Sequence, residues 1–301
     1  MFQNKTSRHH LYPFTLDRFM RILLLGGTGF IGTALTQELQ KNNHEVIATS
    51  RIPKPNSRLF NPFNRTESAT FLAEINADIA VNLSWVTKGK NYLESTSNFD
   101  ALAWSKEFYD LLKYSSIRKV ISIGSSAEYG NQSVFANGVN TPKNGKTLYA
   151  KCKLEAWLHL QKVADLLQIE HVWVRVFQAY GLNQHEEKLI PTLLSHAKNQ
   201  RVFSLSMPET ILDWIEVSDI ARGIAFLVEN ESPAELDLGT SIGMSNLELC
   251  SLFARKVRLR FQVSEDHLSL KSQCVVDRGA FLLRSCPPIV KIEDFLEKIK
   301  M

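Results

Sequence analysis

What this chain lacks narrows it first. None of the 301 residues falls in an uninterrupted apolar run of the roughly 18–20 residues that a membrane-spanning helix needs, so no membrane is expected as a partner. The four cysteines (Cys152, Cys250, Cys274, Cys286) lie far apart, without a Cys-x-x-Cys pair, and no histidine spacing suits zinc. Reduced thiols in a cytoplasmic protein and no metal site are the expectation. The formal net charge is only +4 and no dense Lys/Arg block occurs, so nucleic acid is not an expected partner either. Internal repeats and low-complexity segments are absent. Residues 1–19 are polar and aromatic and lack the apolar middle of a signal peptide. They are expected to be a disordered tail or the product of an upstream start codon, with Met20 as the natural start of a folded domain.

What is present is a well-patterned globular chain. A hydrophobic content of 44% over this length can bury a full core, as one large domain or two modest ones. In the first half, short apolar runs alternate with longer helical patterns, the signature of parallel strands joined by crossover helices. Strands are expected at Arg21–Leu25, His44–Thr49, Ile79–Leu83, Arg118–Ile123 and His171–Val176, with Thr33–Lys41 in the first helix. Strands so continuously apolar suit a sheet covered on both faces. From about Gly181 the pattern changes to helical stretches around Lys188–Asn199, Val217–Val228 and Asn246–Lys256 separated by short runs. The expected fold is α/β: a doubly wound parallel sheet of the Rossmann type over residues 20–180, and a smaller mixed lobe over 181–301. Substrate would bind where that lobe meets the carboxyl ends of the strands.

Three motifs carry chemistry. Gly26, Gly29 and Gly32 follow the first strand and open the first helix in the spacing Gly-x-x-Gly-x-x-Gly. The first glycine permits a tight turn, the second lets backbone approach a pyrophosphate, and the third lets helix pack on sheet. A dinucleotide diphosphate would then rest on the helix N-terminus, with Gly26, Thr28, Gly29, Phe30, Ile31 and Gly32 as cofactor contacts. After the second strand stand Ser50 and Arg51, with Lys54 nearby and no acid between Val46 and Asn56. An acid there would suit a ribose 2′-hydroxyl, whereas a cation suits a 2′-phosphate. NADP(H) is favoured, with NAD(H) the other candidate.

Tyr149 and Lys153 are four residues apart and share one face of an expected helix, and Ser125 closes an earlier buried strand. The ammonium, with the positive charge of an oxidised nicotinamide, is expected to lower the phenol pKa and make it a general acid or base. Ser125 would hydrogen-bond the substrate oxygen while Tyr149 exchanges its proton.

With the segments Ile123-Gly124-Ser125-Ser126-Ala127-Glu128-Tyr129-Gly130, Arg175-Val176-Phe177-Gln178-Ala179-Tyr180-Gly181 and Asp213-Trp214-Ile215-Glu216-Val217-Ser218-Asp219 added, the chain resembles the extended short-chain dehydrogenase/reductases, and within them the nucleotide-sugar epimerase/dehydratase branch. The resemblance covers about residues 20 to 300 and implies that Tyr149 is the acid/base and that Lys153 also holds the nicotinamide ribose. It places Asn82, Leu83 and Ser84 beside the cofactor ribose, and Ser125 and Gln178 on the substrate side, where Ser126 and Trp85, a core or pocket-wall aromatic, are further candidates. Asn98 loosely matches a family asparagine. It also implies a homodimer built from the Trp104/Phe108 and Tyr149–Leu167 helices. Two departures stand out. The dehydratases' Asp-Glu after the catalytic hydroxyl is here Ser126-Ala127, which argues against elimination of water. The arginine that commonly binds the substrate diphosphate is here Leu212, with Arg278 and Arg284 as substitutes that sequence cannot place. The expected activity is therefore that of a nucleotide-sugar 4-keto reductase or epimerase. The alternatives are a reductase of a small non-nucleotide carbonyl compound and a non-catalytic NADP-binding sensor or scaffold.

Overall fold

A computed structural model of the chain describes residues 19–87, 89, 91–130, 134–136, 138–266 and 273–299. The expected tail therefore lies outside the described residues, apart from Phe19. The first half runs β1 (Arg21–Leu25), α1 (Phe30–Lys41), β2 (Glu45–Ser50), β3 (Arg58–Leu59), α2 (Arg65–Glu74), β4 (Ile79–Asn82), α3 (Ser97–Leu111), β5 (Lys119–Ser125), β6 (Val134–Ala136), α4 (Leu148–Leu167) and β7 (Glu170–Val176). The second half runs β8 (Gln178–Tyr180), α5 (Leu189–Lys198), β9 (Val202–Leu205), β10 (Ile211–Glu216), α6 (Val217–Glu229), β11 (Glu235–Leu238), β12 (Gly243–Ser245), α7 (Asn246–Val257), β13 (Arg260–Val263), β14 (Gln273–Val276), α8 (Phe281–Ser285) and α9 (Ile292–Lys298).

Seven strands form one parallel sheet in the order β11-β7-β5-β4-β1-β2-β3. This is the doubly wound α/β architecture expected from the sequence. Side chains alternate across a strand, so each apolar run feeds two cores. Ile22 and Leu24 pack on one face with Leu35, Leu39, Ile220 and Ile224 of α1 and α6. Leu23 and Leu25 pack on the other with Trp104, Phe108, Ala156 and Leu160 of α3 and α4. Trp104 and Phe108 thus face into the core of the chain, where Phe108 is fully buried.

The chain crosses between lobes in both directions. β11, late in sequence, adds to the edge of the main sheet beside β7, and β6, early in sequence, pairs with β14 in the second lobe. That second sheet has the order β12-β10-β14-β6, with β8 also on β10, and its helices bury a third core around Leu193, Leu249 and Phe253. Among the described residues no helix is long and apolar enough to cross a membrane.

Candidate active site

The glycine turn has the shape a diphosphate requires. Gly26 adopts φ +77°, a conformation that L side chains rarely take. A Cβ on Gly32 would lie 2.3 Å from the Gly26 carbonyl oxygen and 2.7 Å from Gly27 Cα, so only glycine lets α1 start this close to the turn. Gly27, absent from the sequence-based set, is equally constrained, because a Cβ there would meet Ala48 of β2 at 2.7 Å. Gly29 caps α1 without any side-chain bond, and no acid stands in the first turn. The N-terminal amides and the positive end of the helix dipole are therefore not satisfied by side chains of the cap. Thr28, Phe30 and Ile31 line this entrance, half-buried. The residues present fit a dinucleotide.

Next to the turn, β2 ends at Ser50, and Arg51 and Lys54 project exposed beyond it. The short strand β3 adds a third cation that sequence reading missed. Its register places Arg58 opposite Thr49 and Leu59 opposite Ser50, so exposed Arg58 shares this edge. On the other side of β1, Leu83 donates its N–H to the Leu25 carbonyl at 3.0 Å. Asn82 is buried, donates to the Tyr109 hydroxyl at 3.2 Å, and accepts the Ser84 N–H at 3.0 Å. A Cβ on Gly26 would lie 3.3 Å from Leu83 and Ser84, so this loop passes close to the glycine turn.

Ser125, Tyr149 and Lys153 come together at the carboxyl end of β5. Helix α4 is started by Thr147, whose hydroxyl accepts the Ala150 N–H at 3.2 Å. One turn separates Tyr149 from Lys153 on its buried face. Lys153 is 5% exposed, donates to the Ile123 carbonyl at 2.7 Å, and lies 5.8 Å from the centre of the Tyr149 ring. Burial pushes the Lys153 ammonium down to about 7, against the opposing pull of Glu128. Burial also raises the Tyr149 phenol, with the nearby Tyr92 adding to the rise and a hydrogen bond with Ser125 opposing it. In the protein without cofactor the balance at Tyr149 is upward, because desolvation outweighs the Ser125 hydrogen bond.

Ser125 is held from behind. Its hydroxyl accepts the Ala127 N–H at 3.2 Å, and its own N–H donates to Glu128 at 2.8 Å, a reciprocal cap on the turn Ser126–Tyr129. Glu128 is fully buried and accepts from Arg175 Nε at 2.6 Å and from Trp173 Nε1 at 3.2 and 3.1 Å. Every one of these contacts is a donor, which suits an acceptor-only carboxylate, although burial raises its pKa. Ser126 and Ala127 themselves bring no titratable group to this turn.

The surroundings of Tyr149 are aromatic. Trp85 lies edge-on to Tyr149 with ring centres 6.1 Å apart, and Tyr92 does the same at 5.5 Å. Lys188, at the cap of α5, reaches over the outer side of Tyr92 at 3.7 Å from the ring centre. This cation was not singled out from sequence; only a lysine opening an expected helix marked it. Gln178 is exposed two residues beyond Val176, which pairs with Ser125. Leu212 is half-buried against the core of the second lobe, and Arg278 and Arg284 are exposed.

Comparison with known proteins agrees with this geometry. The family model described as the NAD dependent epimerase/dehydratase family matches residues 22–239. The bovine (Bos taurus) epimerase family protein SDR39U1 is 41% identical over 88 residues, which are 29% of this chain and 26% of that protein. The GDP-6-deoxy-D-talose 4-dehydrogenase of Aggregatibacter actinomycetemcomitans is 25% identical over 267 residues, 84% of this chain and 85% of that protein. Among solved structures, the UDP-glucose 4-epimerase of Thermotoga maritima with UDP-glucose superposes with a TM-score of 0.81 at 16% identity, over 92% of this chain and 96% of that one. At that identity the likeness speaks for the fold alone.

Proposed function

Because this chain belongs to the NAD dependent epimerase/dehydratase family, we propose that it is an NADP(H)-preferring enzyme acting on a sugar carbon of a nucleotide-linked sugar, as a 4-keto reductase or an epimerase. The observation that carries the reading is the convergence of Ser125, Tyr149 and Lys153 beside a glycine turn that fits a dinucleotide. When bound, the nicotinamide supplies or accepts the hydride. Tyr149 gives the proton to the substrate oxygen in reduction and takes it in oxidation. Ser125, fixed by its own N–H on Glu128, hydrogen-bonds the same oxygen. Lys153, when protonated, favours phenolate as the proton leaves. Trp85 and Tyr92 wall the sugar, and Gln178 and Ser126 meet its polar edge.

Two charged features support the finer assignment. Arg51, Lys54 and Arg58 make one basic edge at the end of β2, which suits a 2′-phosphate and tips the choice toward a reductase. Lys188 supplies a cation on the substrate side where Leu212 supplies none, which answers the need of a diphosphate. A homodimer would use the outward faces of α3 and α4, where Phe99, Leu158 and Leu166 are 55, 52 and 81% exposed.

The test is a thermal-shift comparison of NADPH with NADH, then a screen of nucleotide sugars in the presence of the better cofactor. NADPH should give the larger shift, and Arg51→Glu with Arg58→Glu should remove that difference while leaving NADH unchanged. A larger shift with NADH would overturn the cofactor assignment. Turnover of small carbonyl compounds alone would replace the sugar nucleotide with the simpler substrate that Leu212 admits.

A further inference from the structure

We propose that Trp85, locked by Asn98, is a positioning residue for the Tyr149–Lys153 pair, its indole face receiving the Lys153 ammonium and its edge closing one side of the phenol. This goes beyond the substrate-side place given to Trp85 above and rests on the reading of Tyr149 and Lys153 as the proton-handling pair. The Lys153 nitrogen lies 3.8 Å from the centre of the Trp85 ring, a close cation–π contact. Its hydrogen-bond acceptor is the neutral Ile123 carbonyl. Among the described residues no carboxylate forms an ion pair with it; the charged or titratable groups facing it are Glu128, already committed to Arg175, and Tyr149. A buried ammonium served by one carbonyl and one aromatic face owes much of its charged form to that face.

The indole is not free to turn away. Its Nε1 donates to Asn98 Oδ1 at 3.0 Å. Asn98 is 1% exposed and its Nδ2 donates to the carbonyls of Tyr92 at 2.7 Å and Ser95 at 2.9 Å. One buried amide therefore fixes both aromatic neighbours of Tyr149 and ties their loop to the start of α3. The same loop docks on α4, where the Tyr149 N–H donates to the Leu93 carbonyl at 2.9 Å. Rotating Trp85 would strand the buried Asn98 acceptor, at a cost that holds the ring over Lys153.

If Trp85 only filled space, an aliphatic side chain would serve as well as an aromatic one. The experiment follows the Lys153 side-chain resonance of the full chain, labelled on lysine, through a pH titration without substrate. Lys153→Arg identifies the resonance. Trp85→Leu should lower the midpoint by about one pH unit, a tenfold loss of protonation. Trp85→Phe, which keeps a ring face, should restore most of it, and Asn98→Ala should move it in the direction of Trp85→Leu by less. If Trp85→Leu does not fold, Trp85→Met takes its place. A folded aliphatic variant that titrates like the wild type, or like Trp85→Phe, overturns the proposal. Failure of every sugar as substrate would overturn the proposed activity and leave this titration unaffected.

Discussion

Glu128→Ala perturbs the scaffold beneath Ser125 at its most demanding point. The wild-type carboxylate is fully buried and takes donors from Ser125 N–H at 2.8 Å, Arg175 Nε at 2.6 Å and Trp173 Nε1 at 3.1 Å. Arg175 is likewise 0% exposed and keeps a second partner, Glu235, at 2.9 Å. Breaking one half of a buried ion pair costs about 3–5 kcal/mol, and each orphaned donor costs about 1–3 kcal/mol, partly within the same sum. The remaining Glu235 contact pulls the total toward the lower end. A domain has only about 5–15 kcal/mol to lose, and in larger domains each kcal/mol lowers the melting temperature by roughly 2–4 °C. Glu128→Ala should therefore melt roughly 6–15 °C below the wild type. Glu128→Gln, which keeps an acceptor for Ser125, should fall by less. Glu128→Leu combined with Arg175→Met should be more stable than Glu128→Leu alone, since the double variant no longer buries an arginine that has lost one of its two carboxylates. The assay is thermal and urea unfolding followed by circular dichroism. An alanine variant that melts with the wild type, or a double variant worse than the single, would refute the reasoning.

Other outcomes follow from the packing of the turn and of the buried acids. Gly32→Ala places a methyl 2.3 Å from the Gly26 carbonyl oxygen, so α1 must shift off the turn; overpacking of about 1–3 kcal/mol translates to a tenfold to hundredfold loss of NADPH affinity, read by fluorescence titration. Unchanged affinity would mean that the turn is not the diphosphate cradle. Burial pushes the Asp237 carboxyl up to about 6 from 3.8, even though Tyr129 donates to it at 2.7 Å. Its folded form then binds more protons than its unfolded form between those values, so it costs the protein stability as pH rises through that window. The difference of 2.2 amounts to about 3 kcal/mol. Asp237→Asn should gain stability over the wild type by that amount between acid and neutral pH, and a gap that stays flat with pH would contradict it.

The sheet was legible because its strands are apolar on both faces; the expected Arg21–Leu25 matches β1, and His171–Val176 falls one residue short of β7. The helices of the second lobe were legible from periodicity alone, as Lys188–Asn199 against α5 shows. The short strands β3 and β6 were not, since two or three residues carry no period, and one of them brings Arg58 to the end of β2 beside Arg51. Tyr149, Lys153 and Ser125 could be named because motif and spacing mark them. The contacts that set their environment could not. Glu128 meets Arg175 across 47 residues of sequence, and Trp85 reaches Lys153 only through the packing of a loop on α4. The upward push of burial on the Tyr149 phenol was not legible for the same reason, because desolvation is a property of the packed site and not of the motif.

The central assignment is that Tyr149 transfers the proton that accompanies hydride transfer. Its most direct test is Tyr149→Phe, with NADPH affinity and nicotinamide oxidation measured on the same preparation, using the nucleotide sugar that the screen identifies. Cofactor affinity should stay near the wild-type value while turnover falls by about 10²–10⁴-fold, the usual worth of a positioned acid/base. A phenylalanine variant that binds NADPH and turns over at the wild-type rate would contradict it.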